Sequence, residues 1–281
     1  MVLATAVTIV LWASSFPATR YALASYSPLA LVLLRLCSGS AVLAVCSLAA
    51  GIRLPARRDL PALLGFGFVG IGLASAALTT GLRDVSAGAG SFLVGTIPVF
   101  SALLARFWFK ERLSWLGWAA IATSMAGVTL IALGESSGFR INWGAAWIVA
   151  SALCQSIYYV GQKPLLRRYS ALHLTAYALF AGTFLLLPFL GRLATEFRAA
   201  PWRATAAGIY LGTFPVAVAF VTWSYALSRA KVGHVTSAMY AMPAIALTIA
   251  YFWLGEVPHP LSIVGGGIAL AGVATLAIWG R

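Results

Sequence analysis

Long apolar runs, each close to twenty residues and separated by short connections, decide what this chain can become. Ten are visible, at about 2–23, 28–50, 60–81, 87–109, 114–134, 143–163, 171–190, 204–227, 234–255 and 260–279. A run of this length matches the hydrocarbon thickness of a bilayer when coiled into an α-helix. Hydrocarbon offers no water to backbone N–H and C=O groups, so a helix, which pairs them internally, is the expected form. Composition agrees. The 281 residues are 61% hydrophobic and 9% charged, against about half and a quarter in a soluble domain. Little chain remains for a soluble domain. The first run has no basic residue before Arg20, whereas a signal peptide opens on a basic segment, so residues 1–23 are read as a retained membrane helix.

The net charge is +13. In a soluble protein that would point to nucleic acid; here the basic residues sit between apolar runs and report topology. With the N-terminus in the cytoplasm, that side holds Arg53, Arg57, Arg58, Arg106, Lys110, Arg112, Lys163, Arg167, Arg168, Arg229, Lys231 and Arg281. The other side holds Arg20, Arg83, Arg140, Arg192, Arg198 and Arg203. Twelve against six places both termini inside.

The chain also repeats itself. PVFSALLARFWFKE, 98–111, aligns with PAIALTIAYFWLGE, 243–256, sharing five of fourteen residues: Pro98/Pro243, Ala105/Ala250, Phe107/Phe252, Trp108/Trp253 and Glu111/Glu256. Composition alone gives about one match. SPLAL at 27–31 resembles SALHL at 170–174, and Gly127 stands 145 positions before Gly272. Residues 1–141 and 142–281 thus read as two copies of one unit. Each copy has five runs, an odd number, so the second copy crosses the membrane inverted. The expected fold is an all-α polytopic membrane protein, ten transmembrane helices in two inverted five-helix repeats around a central cavity. Such repeats are common in secondary transporters, whose substrate site lies near the midplane between them.

Ten spans, the stretch W-x-S-S-F at 12–16, and a proline followed by a terminal Glu in runs 4 and 9 resemble the EamA-type transporters of the drug/metabolite transporter superfamily. Within it the chain is most similar to YddG-type amino-acid exporters of bacterial inner membranes. The resemblance implies export of amino acids, aromatic and other apolar ones included, or of a drug or other metabolite. Lys110 departs from it, standing where the second copy has Gly255.

Site residues follow from polarity inside the runs. Pro98 and Pro243 each remove a helical hydrogen bond and free the carbonyl of Val94 or Met239. Ser91, Gly95 and Pro98 share a helical face, as do Thr236, Tyr240 and Pro243. That face is either a polar cavity wall or a packing kink. Trp12, Tyr158, Trp223 and Tyr240 supply aromatic surface, and Ser15, Thr79 and Gln155 neutral hydrogen bonding. Arg35 is the one charged residue deep in a run; it either holds a substrate carboxylate or bonds to backbone carbonyls. Lys163 offers a carboxylate contact or a gate. Glu111 and Glu256 close their runs just before the next begins, near Ser114 and Pro260. Each suits a structural corner, accepting N–H groups of the following helix, with gating as the other role.

The remaining acids, Asp59, Asp84, Glu135 and Glu196, fall in loops. No acid lies deep in a run, which disfavours proton-driven export of lipophilic cations. His173, His234 and His259 lack metal-ligand spacing, and Cys37, Cys46 and Cys154 read as packing residues, so no metal or cofactor is expected. GFGFVG at 65–70 imitates a dinucleotide fingerprint, but inside an apolar run it marks close helix packing. No phosphate-binding G-x-x-x-x-G-K-[ST] occurs, and nothing resembles an enzyme's nucleophile and base. VGGGIALAG at 264–272 offers Gly267 and Ala271 for a helix contact, with runs 5 and 10 of one monomer as the expected partners and a homodimer as the other. The expected partners are thus an amino-acid substrate and the lipid bilayer.

Overall fold

The computed structural model describes residues 2–51, 54–110, 113–136, 142–230, 235 and 237–279. Glu111 and Thr236 lie outside the described residues, as do Arg53, Arg112, Arg140, Lys231, His234 and Arg281.

Every regular element among the described residues is helical. Two unbroken helices come first, α1 (Val2–Leu23) and α2 (Pro28–Ala49). The third run is α3 (Leu60–Gly67), a wide π turn (Phe68–Leu73) and α4 (Ala74–Gly81). The fourth divides into α5 (Ala87–Val94) and α6 (Ile97–Phe109); α7 (Trp115–Gly134) and α8 (Trp143–Leu165) follow. Next are α9 (Ala171–Leu186), a tight turn at Leu187–Phe189 and α10 (Leu190–Ala199). The eighth run again contains a π turn, Gly212–Val218, between α11 (Trp202–Leu211) and α12 (Ala219–Arg229). A 3₁₀ turn (Ser237–Ala241), α13 (Met242–Leu254) and α14 (Pro260–Trp279) complete the described chain.

Eight helical stretches are long and apolar enough to cross a membrane, and Ala238–Leu254 is apolar but shorter. The remaining expected run, α8, is 23 residues long; Ser151, Gln155, Ser156, Gln162 and Lys163 lower its hydropathy. Trp108, Trp115, Trp143, Trp253 and Trp279 are exposed on the outer surface of the bundle, where lipid and interface would meet them.

Three features depart from simple spans. The fourth run does not kink at Pro98 but breaks earlier, at Gly95 and Thr96. Pro98 then occupies the first turn of α6, where no backbone N–H is required. Pro243 takes the same place in α13. At the break the Thr96 hydroxyl donates to the Leu93 carbonyl at 2.7 Å, and Ser156 donates to that of Ile97 at 3.1 Å. The seventh run continues past residue 190 to Ala199 because Pro188 starts a new helical turn. Glu196 therefore lies on a helix rather than in a loop. Its carboxylate accepts from the backbone N–H (2.8 Å) and hydroxyl of Ser27, the residue that opens α2. The third departure is the pair of π turns.

GFGFVG does mark close packing. A Cβ on Gly67 would lie 2.4 Å from the Ala178 carbonyl oxygen, and one on Gly70 2.1 Å from Cβ of Tyr158. The most extensive helix–helix contact is that of α7 with α14. A Cβ on Gly127 would sit 2.4 Å from the nitrogen of Ala269, and one on Gly272 2.6 Å from that of Ser124. Ser114 at the start of α7 donates to the carbonyl of Trp279 at the end of α14, so the two helices run antiparallel. The small residues in this contact are Gly265, Ala269 and Gly272. Gly267 and Ala271, expected to make it, face outward; they lie on the other side of the helix.

Glu256 forms a corner, though not with the helix that follows it. Its carboxylate accepts from Nε of Arg20 at 2.9 Å and from the N–H of Ala87, which opens α5, at 2.9 Å. Arg20 also donates to the carbonyls of Leu82 and Arg83. An anion at a helix N-terminus is favoured by the dipole, so the carboxylate goes to the free N–H groups of α5. Glu135 repeats the device, accepting from the N–H of Ser86 and the hydroxyl of Ser262. Asp59 accepts from Arg168 (2.7 Å) and Tyr169 (2.8 Å).

Candidate functional site

A narrow cavity lies in the interior of the bundle, open to the centre of a water molecule over about 40 Å³. Ordered waters fit such a space. Trp12, Ser15 and Phe16 of α1 form one wall and Arg35 of α2 another. Gly70, Ser75 and Leu78 come from the third run, and Val94 ends α5 at the helix break. Gln155, Pro215 and Phe220 face them, and Met239 and Met242 flank the start of α13. Both π turns and both broken helices therefore touch this space. Such interruptions are tolerated at membrane depth where protein or a cavity satisfies the backbone.

An aromatic cluster backs the cavity. Trp12 stacks on Tyr159 with ring centres 5.9 Å apart and 15° between planes. Its edge meets Phe220 at 5.4 Å, and it tilts against Trp223 at 5.0 Å. Trp223 also contacts Tyr159 at 5.1 Å, and Tyr158 contacts Phe220 at 6.3 Å. The indole N–H of Trp12 donates to the carbonyl of Pro215 at 3.0 Å, occupying an acceptor within the π turn. One polar relay fixes the wall made by α8. Tyr159 donates to Oε1 of Gln155 at 3.1 Å, Nε2 of Gln155 donates to Ser151 at 3.0 Å, and Ser151 donates to the Ala74 carbonyl at 2.7 Å.

Arg35 is 5% exposed, so it does not snorkel. Nη1 donates to the Thr79 hydroxyl at 3.2 Å, while Nε has no hydrogen-bond partner among the described residues. The ion pairs among the described residues are Arg20–Glu256, Arg168–Asp59 and Arg192–Glu196, and none includes it.

Of the residues singled out in the sequence, Trp12, Ser15, Arg35 and Gln155 line the cavity. Thr79 reaches it through Arg35. Tyr158 and Trp223 are fully buried in the aromatic cluster behind the lining. Ser91 turns its hydroxyl back onto the Gly88 carbonyl at 2.6 Å, and Gly95 and Pro98 shape the nearby break. Pro243 sits in the first turn of α13, directly after the lining residue Met242. Tyr240 stands apart: it packs near Val99, Ala120, Ile121 and Val273 and donates to the Val273 carbonyl at 2.8 Å. Lys163 donates to the carbonyls of Leu227 and Ala230, closing the C-terminal end of α12. Sequence reasoning does not find Ser75, Leu78, Pro215, Phe220 or Met242, and it names Met239 only for its carbonyl. Pro215, a proline within an apolar run, was the available signal.

Comparison with known proteins gives a consistent picture. The EamA-like transporter family model matches residues 1–133 and again 142–278. A probable terminal-alkyne amino-acid exporter of Streptantibioticus cattleyicolor is 42% identical over 267 residues, 95% of this chain and 89% of that protein. The uncharacterized transporter YdfC of Bacillus subtilis is 36% identical over 94% of this chain and 86% of its own. An uncharacterized transporter of Archaeoglobus fulgidus is 26% identical over 95% of both chains. A solved crystal structure superposes with a TM-score of 0.67 at 21% identity, covering 97% of this chain and 94% of that one, and so shares the fold.

Proposed function

We propose, on the premise that this chain belongs to the EamA-like transporter family, that it exports amino acids with apolar side chains across a bacterial inner membrane. The observation that carries this reading is the cavity lining. Aromatic and aliphatic side chains make most of its surface, with Ser15, Ser75 and Gln155 as neutral polar groups and Arg35 as the one charge among the described residues. That lining suits a small amphipathic solute. The 42% identical relative, named for a terminal-alkyne amino acid, points to the same class, an amino acid with a compact apolar tip.

The mechanism we infer is alternating access between two inverted five-helix repeats, residues 1–141 and 142–281, in a ten-span bundle with both termini in the cytoplasm. Support comes from the two family matches at 1–133 and 142–278, and from the antiparallel α7–α14 pair, whose members stand 145 residues apart. The corner bonds add to it: Arg20 to Glu256, Arg168 to Asp59 and Ser27 to Glu196 each join segments that a ten-span path puts on one face. Rocking of the halves would use the breaks at Gly95–Thr96 and before Met242, where helical hydrogen bonding is already interrupted. Flux of radiolabelled amino acids in proteoliposomes tests the reading: saturable transport is expected for apolar amino acids, and its absence for every amino acid would overturn it. Repeating the assay with an imposed pH gradient separates uniport from proton coupling.

A further inference from the structure

The geometry points to Arg35 as the anchor for the carboxylate of the transported molecule, with Thr79 as the positioning residue that sets the guanidinium. The assignment rests on the transport reading above.

Four features of Arg35 converge. Arg35 sits eight positions into α2 from Ser27, about 12 Å along the helix axis at 1.5 Å per residue. A cation at such depth in a membrane bundle ordinarily pairs with an acid or with backbone carbonyls. Among the described residues Arg35 has neither: its side-chain hydrogen bond goes to the neutral hydroxyl of Thr79, and Nε is unpartnered while the residue is 5% exposed. The side chain lines the cavity rather than filling a packing gap elsewhere. Among the described residues no acid lines that cavity with it.

Charge and shape then select the ligand. A guanidinium presents parallel N–H donors that match the two oxygens of a carboxylate. The bond to Thr79 occupies a donor on Nη1 and fixes the plane of the group, leaving the Nε edge for a carboxylate. An arginine whose charge is unmatched among the described residues admits a ligand carrying the opposite charge and repels a lipophilic cation. The neighbouring faces of Trp12 and Phe220 are apolar and π-rich, and would take the side chain and, through the ring faces, the ammonium group. The solute class is therefore one with a free carboxylate beside a compact apolar body. Amino-acid esters, amides and decarboxylated amines fall outside it.

The test uses the full-length protein in proteoliposomes loaded with one transported amino acid. Unlabelled competitors are that amino acid, its methyl ester, its amide and the corresponding amine. Wild type should be inhibited at least tenfold more weakly by the three competitors that lack a carboxylate. Arg35→Gln, checked for folding by size exclusion and thermal unfolding, should compress that discrimination below threefold. Arg35→Lys, which keeps the charge without the fork, should compress it in part and serves if Arg35→Gln does not fold. Thr79→Val should raise KM for the free amino acid more than it lowers the maximal rate. Equal inhibition of wild type by acid and ester would overturn the assignment while leaving amino-acid transport intact. So would full discrimination in a folded Arg35→Gln protein. Absence of amino-acid flux in wild type would instead overturn the transport reading itself.

Discussion

Along α7 and α14, residues 145 positions apart meet matching surroundings; around the cavity, residues at the corresponding spacing do not. Gly127 faces Gly265 and Ala269, and Gly272 faces Ala120 and Ser124. Adding 145 to 120, 124 and 127 gives 265, 269 and 272, so each helix sees its counterpart as its counterpart sees it. In the cavity, the offset of 143 pairs Trp12 with Gln155 and Arg35 with Ala178. One member of each pair is bulky or charged where the other is not. A peripheral helix pair can keep its self-complementary contact because it has only to hold α7 against α14. A cavity proposed to hold a solute with two unlike ends has to present different groups to them, and so loses the symmetry.

The largest expected effect falls on the symmetric contact. Gly127→Leu would push a side chain into the backbone of α14, costing about 3 kcal/mol, whereas Gly267→Leu on the outward face should be close to neutral. Thermal unfolding in detergent compares them, and equal tolerance would show that the α7–α14 contact is not as tight as described. Glu256→Gln comes next. It weakens the ion pair with Arg20 and the bond to the N–H that opens α5. Both partners are partly exposed, which limits the loss to about 1–2 kcal/mol by chemical unfolding. A change no larger than that of Arg192→Gln would remove Glu256 from the corner's framework.

On the asymmetric side, Trp12→Phe removes the indole donor from the Pro215 carbonyl and one ring from the cavity wall. A tenfold rise in KM, equivalent to about 1.4 kcal/mol, is expected in the flux assay. Tyr240→Phe, whose hydroxyl meets Val273 away from the cavity, should leave KM unchanged. Similar shifts in both would erase the distinction between lining and scaffold. The smallest effect is a gain. Lys110 holds a left-handed backbone conformation, φ 55°, where its counterpart Gly255 has φ 66°. Glycine adopts that conformation without steric cost, so Lys110→Gly should stabilise by about 0.5–1 kcal/mol, read as a raised unfolding temperature.

Much of the helical layout could be read from the chain, because bilayer thickness fixes run length and short connections fix neighbours. The sequence also pointed to the break near Pro98, to Arg35 as unusual, and to Trp12, Ser15 and Gln155. It misjudged partners. Glu256 reaches back to α5 and Arg20 because helix ends from distant parts of the chain meet at one face, which no local pattern records. Helical spacing groups Tyr240 with Thr236 and Pro243, yet the chain at 237–241 is a 3₁₀ turn and directs the ring differently. The π turns had no sequence signal beyond Gly70 and Pro215. They arise from packing: a Cβ on Gly212 would lie 2.2 Å from the Arg35 carbonyl oxygen.

Those turns carry one more consequence. A π turn holds one residue more than the α-helical turn it replaces, and each residue of an α-helix advances about 100° around its axis. The turn at Phe68–Leu73 therefore absorbs its surplus residue, and deleting one residue there would restore plain helical winding while leaving Ser75, Leu78 and Thr79 close to their present directions. The same deletion inside α4, ahead of Thr79, would instead swing the hydroxyl that meets Arg35 by about 100°, more than a quarter of a circle.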